Sequence, residues 1–195
     1  RRLQAADKDF EFRFWGGDKM SQVGGTLVKH YKDHDHMGLV EVLKHLRKIL
    51  NNIAFCKKDI SEFKPDALIC IDFPGFNLRI LKHVKSLGIK TFYYISPTVW
   101  AWKANRVKII DAYVDHLFSI FPFEKSFYAK RNCHKVDFVG HPLLDSIYSD
   151  TNLLDVNEFR EKNNLDLQKQ IIAILPGSRN YEIRENLLTM QSVVP

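Results

Sequence analysis

The sequence predicts an α/β fold built on a parallel sheet. Short apolar runs of strand length recur along the chain, each closed by Gly or Pro, and amphipathic segments of helical period lie between most of them. Alternation at this spacing means crossover units, which pair strands in parallel. The clearest run, Ala67-Leu68-Ile69-Cys70-Ile71-Asp72, stands between Pro65 and Pro74-Gly75 and has the look of a strand buried on both faces.

The elements follow in order. Phe10 to Trp15 alternates apolar and polar residues and stops at Gly16-Gly17, which predicts a half-buried strand and a glycine turn. Residues 37 to 62 carry a helical period. After the strand Ala67 to Asp72, a helix is expected from Asn77 to Leu87, ended by Gly88 where a left-handed residue is wanted. Lys90 to Ile95 is a second run of this kind, and Lys103 to Ala112 a helix. His116 to Ile120, Val136 to Val139 and Ile171 to Leu175 are further expected strands, with a short helix from Glu124 to Lys130. The polar segment Ser149 to Gln170 marks a boundary, so residues 1–150 are expected to form one domain and 151–195 a linker and the start of a second.

Composition removes several classes of function. The chain has 195 residues, and 29 Lys plus Arg against 23 Asp plus Glu leave a net charge of +6, spread without a basic block. That distribution argues against nucleic acid as a partner. Three scattered cysteines make neither a disulfide framework nor a thiolate metal site. No window approaches the roughly 20 apolar residues of a membrane span. The opening residues, Arg1 to Ala6, read as the tail of a helix.

Several constellations carry possible chemistry. Asp72 leaves the sheet at a strand's carboxyl end, where ligands of open α/β sheets bind. Its carboxylate is placed either to take or orient a hydroxyl proton, or to accept hydrogen bonds from the turn after Pro74 and fix the loop. Asn77 is a helix N-cap or a ligand donor. In Pro176-Gly177-Ser178-Arg179, Gly177 permits close approach, Ser178 caps or donates, and Arg179 offers a planar fork to phosphate oxygens; an ordinary turn is the alternative. His141 follows another strand and is suited to polarise a hydroxyl or to brace a loop. Trp100 and Trp102 form a substrate wall, a membrane-facing rim or a lid on the sheet. His30, His34 and His36 with Asp33 and Asp35 lack a recognised ligand pattern, so a solvated loop is expected there and no metal.

The segment from Met37 to Phe55 is amphipathic. At about 100° per residue, Leu39, Val42, Leu43, Leu46, Ile49, Leu50 and Ile53 share an arc of roughly 120°, beside Lys44, Arg47 and Lys48. Such a stripe faces its own sheet, or it rests on an anionic membrane or a protein. Met37 and Val40 fall outside the arc, so burial in the core does not consume every apolar side chain.

Seven motifs in series resemble the lipid-A-disaccharide synthase family: Phe14 to Met20, Met37 to Leu43, Ile71 to Asn77, Ser96 to Trp102, Phe121 to Tyr128, Val139 to Pro142 and Leu175 to Arg179. The resemblance covers essentially the whole chain. It implies an inverting hexosyltransferase with two Rossmann-like domains of the GT-B type, here a nearly complete N-terminal domain and the start of the second. The implied reaction joins UDP-2,3-diacylglucosamine to 2,3-diacylglucosamine 1-phosphate, giving a β-1,6-linked disaccharide phosphate and UDP. The implied setting is the cytoplasmic face of the inner membrane of a Gram-negative bacterium, with peripheral attachment, no cofactor and no metal.

By motif match Asp72 corresponds to the family's essential aspartate, as base or organiser, and Arg179 lies in the loop implicated in sugar-nucleotide phosphate binding. Asn77, Trp100, His141 and Ser178 are the further candidates for substrate contact. Met37, Leu39, Val40, Leu43 and Leu46 match the membrane-contacting patch. The family's opening strand, its Gly-Glu-x-Ser-Gly-Asp loop and most of its C-terminal domain have no counterpart here, so the chain as given is expected to be inactive. Alternatives are another UDP-sugar enzyme such as a 2-epimerase, or a non-catalytic membrane adaptor.

Overall fold

The computed structural model describes residues 10–30, 42–148, 154–178 and 180–192, with the backbone alone over 42–46. The chain divides into two compact units, Arg1–His141 and Pro142–Pro195.

In the first unit, strands β1 (Arg13–Gly16) and β2 (Thr26–His30) pair in parallel across a short connection that holds the single-turn helix α1 (Asp18–Ser21). Strand β2 is absent from the sequence reading. Gly24 and Gly25 turn the chain into it at positive φ, and a Cβ on Gly25 would meet the Phe12 carbonyl at 2.7 Å. Helix α2 (Val42–Phe63) holds this pair through polar side chains and through Trp15, which packs against the apolar cluster that contains Ile53, Cys56 and Ile60. Arg13 pairs with Asp59, Lys29 donates to Asn52 at 2.6 Å, and the Trp15 ring lies 5.8 Å from Phe55. Asn52 and Asp59 are buried, and these partners are what makes their burial tolerable.

The main sheet has the order β3 (Ala67–Ile71), β4 (Lys90–Tyr94), β5 (His116–Ser119) and β6 (Val136–Phe138), all parallel. Helices α3 (Pro74–Ser86), α4 (Arg106–Tyr113) and α5 (Pro122–Ala129) connect successive strands, so all four carboxyl ends share one edge. Helices α3 and α5 begin on proline rather than three and two residues later, at the expected Asn77 and Glu124. Proline's fixed φ and missing N–H suit the first helical position. Helix α4 begins three residues after the expected Lys103, because Lys103 adopts φ 55° and cannot be helical.

One face of the sheet is packed. Cys70, Tyr93, Leu117 and Val136 lie there under Leu78 and Leu81 of α3, Val107 and Ile110 of α4, and Tyr128 of α5. The other side of α3, with Phe76, Ile80 and Val84, closes on Ile53, Cys56 and Ile60 of α2. Each fully buried aliphatic side chain of this kind contributes about 2 kcal/mol relative to exposure. The expectation that the strand beginning at Ala67 is buried on both faces fails. Cys70 is buried, but Ile69 and Ile71, on the opposite face, remain 51% and 47% exposed. The three connecting helices all serve the Cys70 face.

Burial accounts for the cysteines. Cys56, Cys70 and Cys133 are unbridged, and desolvation pushes the thiols of Cys56 and Cys70 up to about 12, so none is poised as a nucleophile.

The second unit contains α6 (Pro142–Tyr148), α7 (Val156–Lys162) and α8 (Asn180–Gln191). Helix α7 falls inside the segment expected to be a polar linker. A capping box starts it: Asp155 accepts from the N–H groups of Asn157 and Glu158 at 2.7 and 2.9 Å, and Glu158 reaches back to the Asp155 N–H at 3.0 Å. The strand expected at Ile171 to Leu175 is not formed. Strand identity needs a paired neighbour, and among the described residues nothing pairs with this run; Ile172 and Leu175 are 67% and 82% exposed.

Candidate functional site

The carboxyl edge of the main sheet is where backbone strain collects. Among the described residues, non-glycine residues with positive φ number seven, and four of them lie here: Asp72 and Phe73 after β3, Ile95 after β4, and Lys103 in the loop that follows. The other three, Lys64, Asn132 and Asn164, follow helix ends, where a left-handed residue is ordinary.

Asp72 and Phe73 both have φ near 45°, and two consecutive left-handed residues with side chains cost about 1–3 kcal/mol each. Hydrogen bonds hold the turn. The Asp72 N–H donates to the Tyr94 carbonyl at 2.9 Å. The Asp72 carbonyl accepts from the Tyr93 hydroxyl at 2.6 Å and from Asn77 Nδ2 at 2.7 Å, and Asn77 also reaches the Ile71 carbonyl at 3.3 Å. Burial raises the pKa of the Tyr93 hydroxyl, keeping it a donor. The backbone carbonyl of Asp72 therefore fixes the loop. Its carboxylate is exposed, and among the described residues no hydrogen bond or ion pair reaches it.

Asn77 is not the cap: Phe73 occupies that position, and Asn77 stands one turn inside the helix with its amide turned back on the strand end. The sequence reading did not single out Tyr93, because a tyrosine in an apolar strand reads as core.

Beyond β4 the chain runs through Pro97 to Trp102. Val99, 2% exposed, anchors this loop, and turns from Thr98 to Ala101 and Lys103 to Arg106 pin it. The Trp100 ring meets Phe123 edge-on at 5.2 Å and Phe121 at 6.4 Å, and Phe121 lies 5.6 Å from half-buried His141 after β6. Trp100 and His141 are thus parts of one aromatic wall, whose middle members, Phe121 and Phe123, the sequence reading places in a family motif without naming them as site residues. Asp72 lies at the same edge, at the end of the neighbouring strand.

Beneath this wall is Glu124, with no exposed surface. One carboxyl oxygen accepts from the Phe121 N–H at 3.3 Å, as a residue in the first helical turn does. The other, Oε1, is buried without a hydrogen bond among the described residues, and the side chains of Ser96 and Trp100 lie near the carboxyl group. Burial raises this carboxyl above the ordinary range and favours its neutral form. The Ser96 hydroxyl is within bonding distance of the Pro97 carbonyl at 3.1 Å and of the Tyr128 hydroxyl at 3.0 Å, so its own partners are satisfied.

In the second unit, Gly177 has φ 127°, and a Cβ there would come within 2.6 Å of the Glu182 side chain. The Glu182 carboxylate accepts from the Ser178 N–H at 3.0 Å, and Asn186 donates to the Pro176 carbonyl at 2.9 Å. The loop is closed on its own helix, and a carboxylate occupies the Ser178 N–H. Ser178 is exposed; Arg179 lies outside the described residues.

Met37, Leu39 and Val40 also lie outside them, as do His34 and His36; Leu43 and Leu46 fall on α2, where only backbone is described. Past them, Ile49 and Leu50 are 40% and 53% exposed while Ile53, Cys56 and Ile60 are buried. The apolar stripe therefore continues beyond the core that covers it. Among the described residues no group of His, Cys, Asp and Glu is arranged for a metal, and no helix is long and apolar enough to cross a membrane.

A family model described as lipid-A-disaccharide synthetase matches residues 1–194. The lipid-A-disaccharide synthase of Trichlorobacter lovleyi is 42% identical over 194 residues, covering 97% of this chain and 49% of the relative. That of Coxiella burnetii is 38% identical over 188 residues, covering 96% and 49%. The lipid-A-disaccharide synthase 1 of Legionella pneumophila is 38% identical over 188 residues, covering 96% and 48%. The chain spans about half the length of these relatives.

Glu124 makes stability depend on pH with a definite sign. A carboxyl whose pKa is raised by folding contributes fully below its unfolded value of about 4 and loses that contribution as pH rises through the folded value. Glu124→Gln should remove this dependence. In thermal melts the stability of the native protein relative to this variant is expected to fall as pH rises from about 4; parallel curves would show that Glu124 is not held neutral.

Proposed function

The chain belongs to the lipid-A-disaccharide synthetase family, and from that premise we propose that the protein transfers 2,3-diacylglucosamine from its UDP derivative to 2,3-diacylglucosamine 1-phosphate. The products are the β-1,6-linked disaccharide phosphate and UDP. The observation that supports this reading is the Asp72 carboxylate, exposed and unpaired among the described residues on a strained turn at a strand's carboxyl end.

Inversion at an anomeric carbon needs the acceptor O6 in line with the departing diphosphate. Positive charge grows on the sugar ring and negative charge on the leaving group. Alignment and charge stabilisation supply the catalysis, with no covalent intermediate on the protein. In this reading Asp72 receives the O6 proton or orients the group that does. A carboxylate is a weak base for an alcohol, but proton loss trails bond formation, as the attacking oxygen becomes acidic. The wall of Trp100, Phe121 and His141 packs against the sugar. Arg179 and Ser178 bind the diphosphate, which competes with Glu182 for the Ser178 N–H.

The exposed continuation of the α2 stripe supports peripheral attachment to an anionic bilayer, from which acylated substrates enter. Its cytoplasmic side belongs to this proposal, since UDP-sugars are cytoplasmic.

In the intact protein, Asp72→Asn should fold normally and lower kcat by orders of magnitude, whereas Arg179→Ala should chiefly raise the KM for the UDP-sugar. Near-normal turnover by the Asp72 variant refutes its role. Replacing Leu43 and Leu46 by Ser should reduce sedimentation with anionic liposomes; undiminished association in a folded variant returns the stripe to the core.

A further inference from the structure

The loop after β4 and the first residue of α4 carry two cations that have no role in the transfer proposed above. Lys103 Nζ lies 4.0 Å from the centre of the Trp102 ring and the Arg106 guanidinium 5.5 Å from it. Neither forms an ion pair among the described residues. The sequence around them is one-sided: residues 73–110 contain no Asp or Glu, against Arg79, Lys82, Lys85, Lys90, Lys103, Arg106 and Lys108. Trp102 is 58% exposed, so its ring is not a core residue that the cations merely cover.

The placement is built rather than incidental. Lys103 is held at φ 55° by the Arg106 N–H, which donates to its carbonyl at 3.0 Å, and Val99 and Val107 on either side are buried. A left-handed lysine is unfavourable by about 1–2 kcal/mol, and here it turns the chain so that two positive charges share one indole. An ammonium and a planar guanidinium on a common apolar wall suit a phosphate monoester on a sugar: two charges for the dianion, a donor fork for its oxygens and a ring face for the pyranose. The loop follows β4 at the same sheet edge as Asp72.

We infer that Trp102, Lys103 and Arg106 seat a sugar phosphate monoester, which in the proposed reaction is the acceptor's 1-phosphate. The identity of that ligand rests on the preceding functional reading; the existence of the phosphate seat does not. A dianionic phosphate anchored here fixes the acceptor at the end opposite its attacking hydroxyl and distinguishes phosphorylated from unphosphorylated lipid.

The test uses the intact protein. Glucosamine 1-phosphate is titrated while the indole N–H signal of Trp102 is followed by NMR, with assignment by Trp102→Phe and glucosamine as the uncharged-end control. The signal should shift with the phosphate and not with glucosamine. Lys103→Gln with Arg106→Gln should weaken that binding at least tenfold, and Arg106→Lys should retain most of it. In turnover, the double variant should lose at least tenfold in kcat/KM for the phosphorylated acceptor, with little change for the same lipid lacking phosphate and none in the KM for the UDP-sugar. No Trp102 shift in the native protein overturns the inference, whatever the variants do. So does unchanged discrimination between the two acceptors. Loss of sedimentation with phosphatidylglycerol vesicles while discrimination persists would assign the cations to lipid headgroups and overturn it too. Phosphate binding at Trp102 in a protein that joins no diacylglucosamine would leave the seat standing and sink the proposed function instead.

Discussion

The hydrogen bond from the Tyr93 hydroxyl to the Asp72 carbonyl, 2.6 Å long, is the constraint on which the site depends. Tyr93 is completely buried, and a hydroxyl in that position must find a partner or lose about 1–3 kcal/mol. The carbonyl at the end of the adjacent strand supplies it. Meeting that demand, together with the Asn77 amide, holds Asp72 and Phe73 in the left-handed region. The turn's polar backbone is satisfied inward, and the carboxylate is left for the solvent side. A core requirement of the sheet thus becomes the orientation of the carboxylate for which a catalytic role is proposed.

Where the sequence was legible, the reason is that a parallel sheet writes itself in short apolar runs punctuated by Gly and Pro. Strands β3 to β6 and their helices were readable on that ground. Asp72, Trp100 and His141 were readable as candidates because each follows a strand's carboxyl end. Strand β2 was not, since Thr26 to His30 is half polar and is held by partners such as Asn52, far away in sequence. Helix α7 was hidden by charge: its signal was the reciprocal cap of Asp155 and Glu158, not an apolar period. Ile171 to Leu175 has strand composition, but a ladder belongs to two segments and one sequence run does not reveal the second. Tyr93, Glu124 and Glu182 escaped for a common reason. Each matters through what it touches, and contact across elements is invisible in a residue's own neighbourhood.

The proposed reaction draws on different groups from the two units. The first holds the Asp72 carboxylate, unpaired among the described residues, an aromatic wall and two cations beside Trp102 at one edge of a sheet. The second holds a loop after an extended run in which Gly177 admits the Glu182 carboxylate. The Glu182 carboxylate gives that loop a closed form, and in the proposed reaction the diphosphate competes with it for the Ser178 N–H. The face of the main sheet opposite the helices, with Ile69 and Ile71 half exposed, and the outer end of the α2 stripe are exposed apolar surfaces of the first unit. Their exposure is of different kinds: one is a sheet face of the sort that α/β folds cover with helices, the other a helix running past its own core.

The most direct measurement of the central claim is the turnover of intact protein carrying Tyr93→Phe, a change that removes one oxygen and leaves the buried ring. If the Tyr93 hydroxyl aims the Asp72 carboxylate by holding its carbonyl, kcat should fall by about 10- to 100-fold, with the KM for the UDP-sugar unchanged and the fold retained. A folded Tyr93→Phe protein with undiminished kcat would contradict the account, because the turn would then present its carboxylate without the bond that is said to hold it.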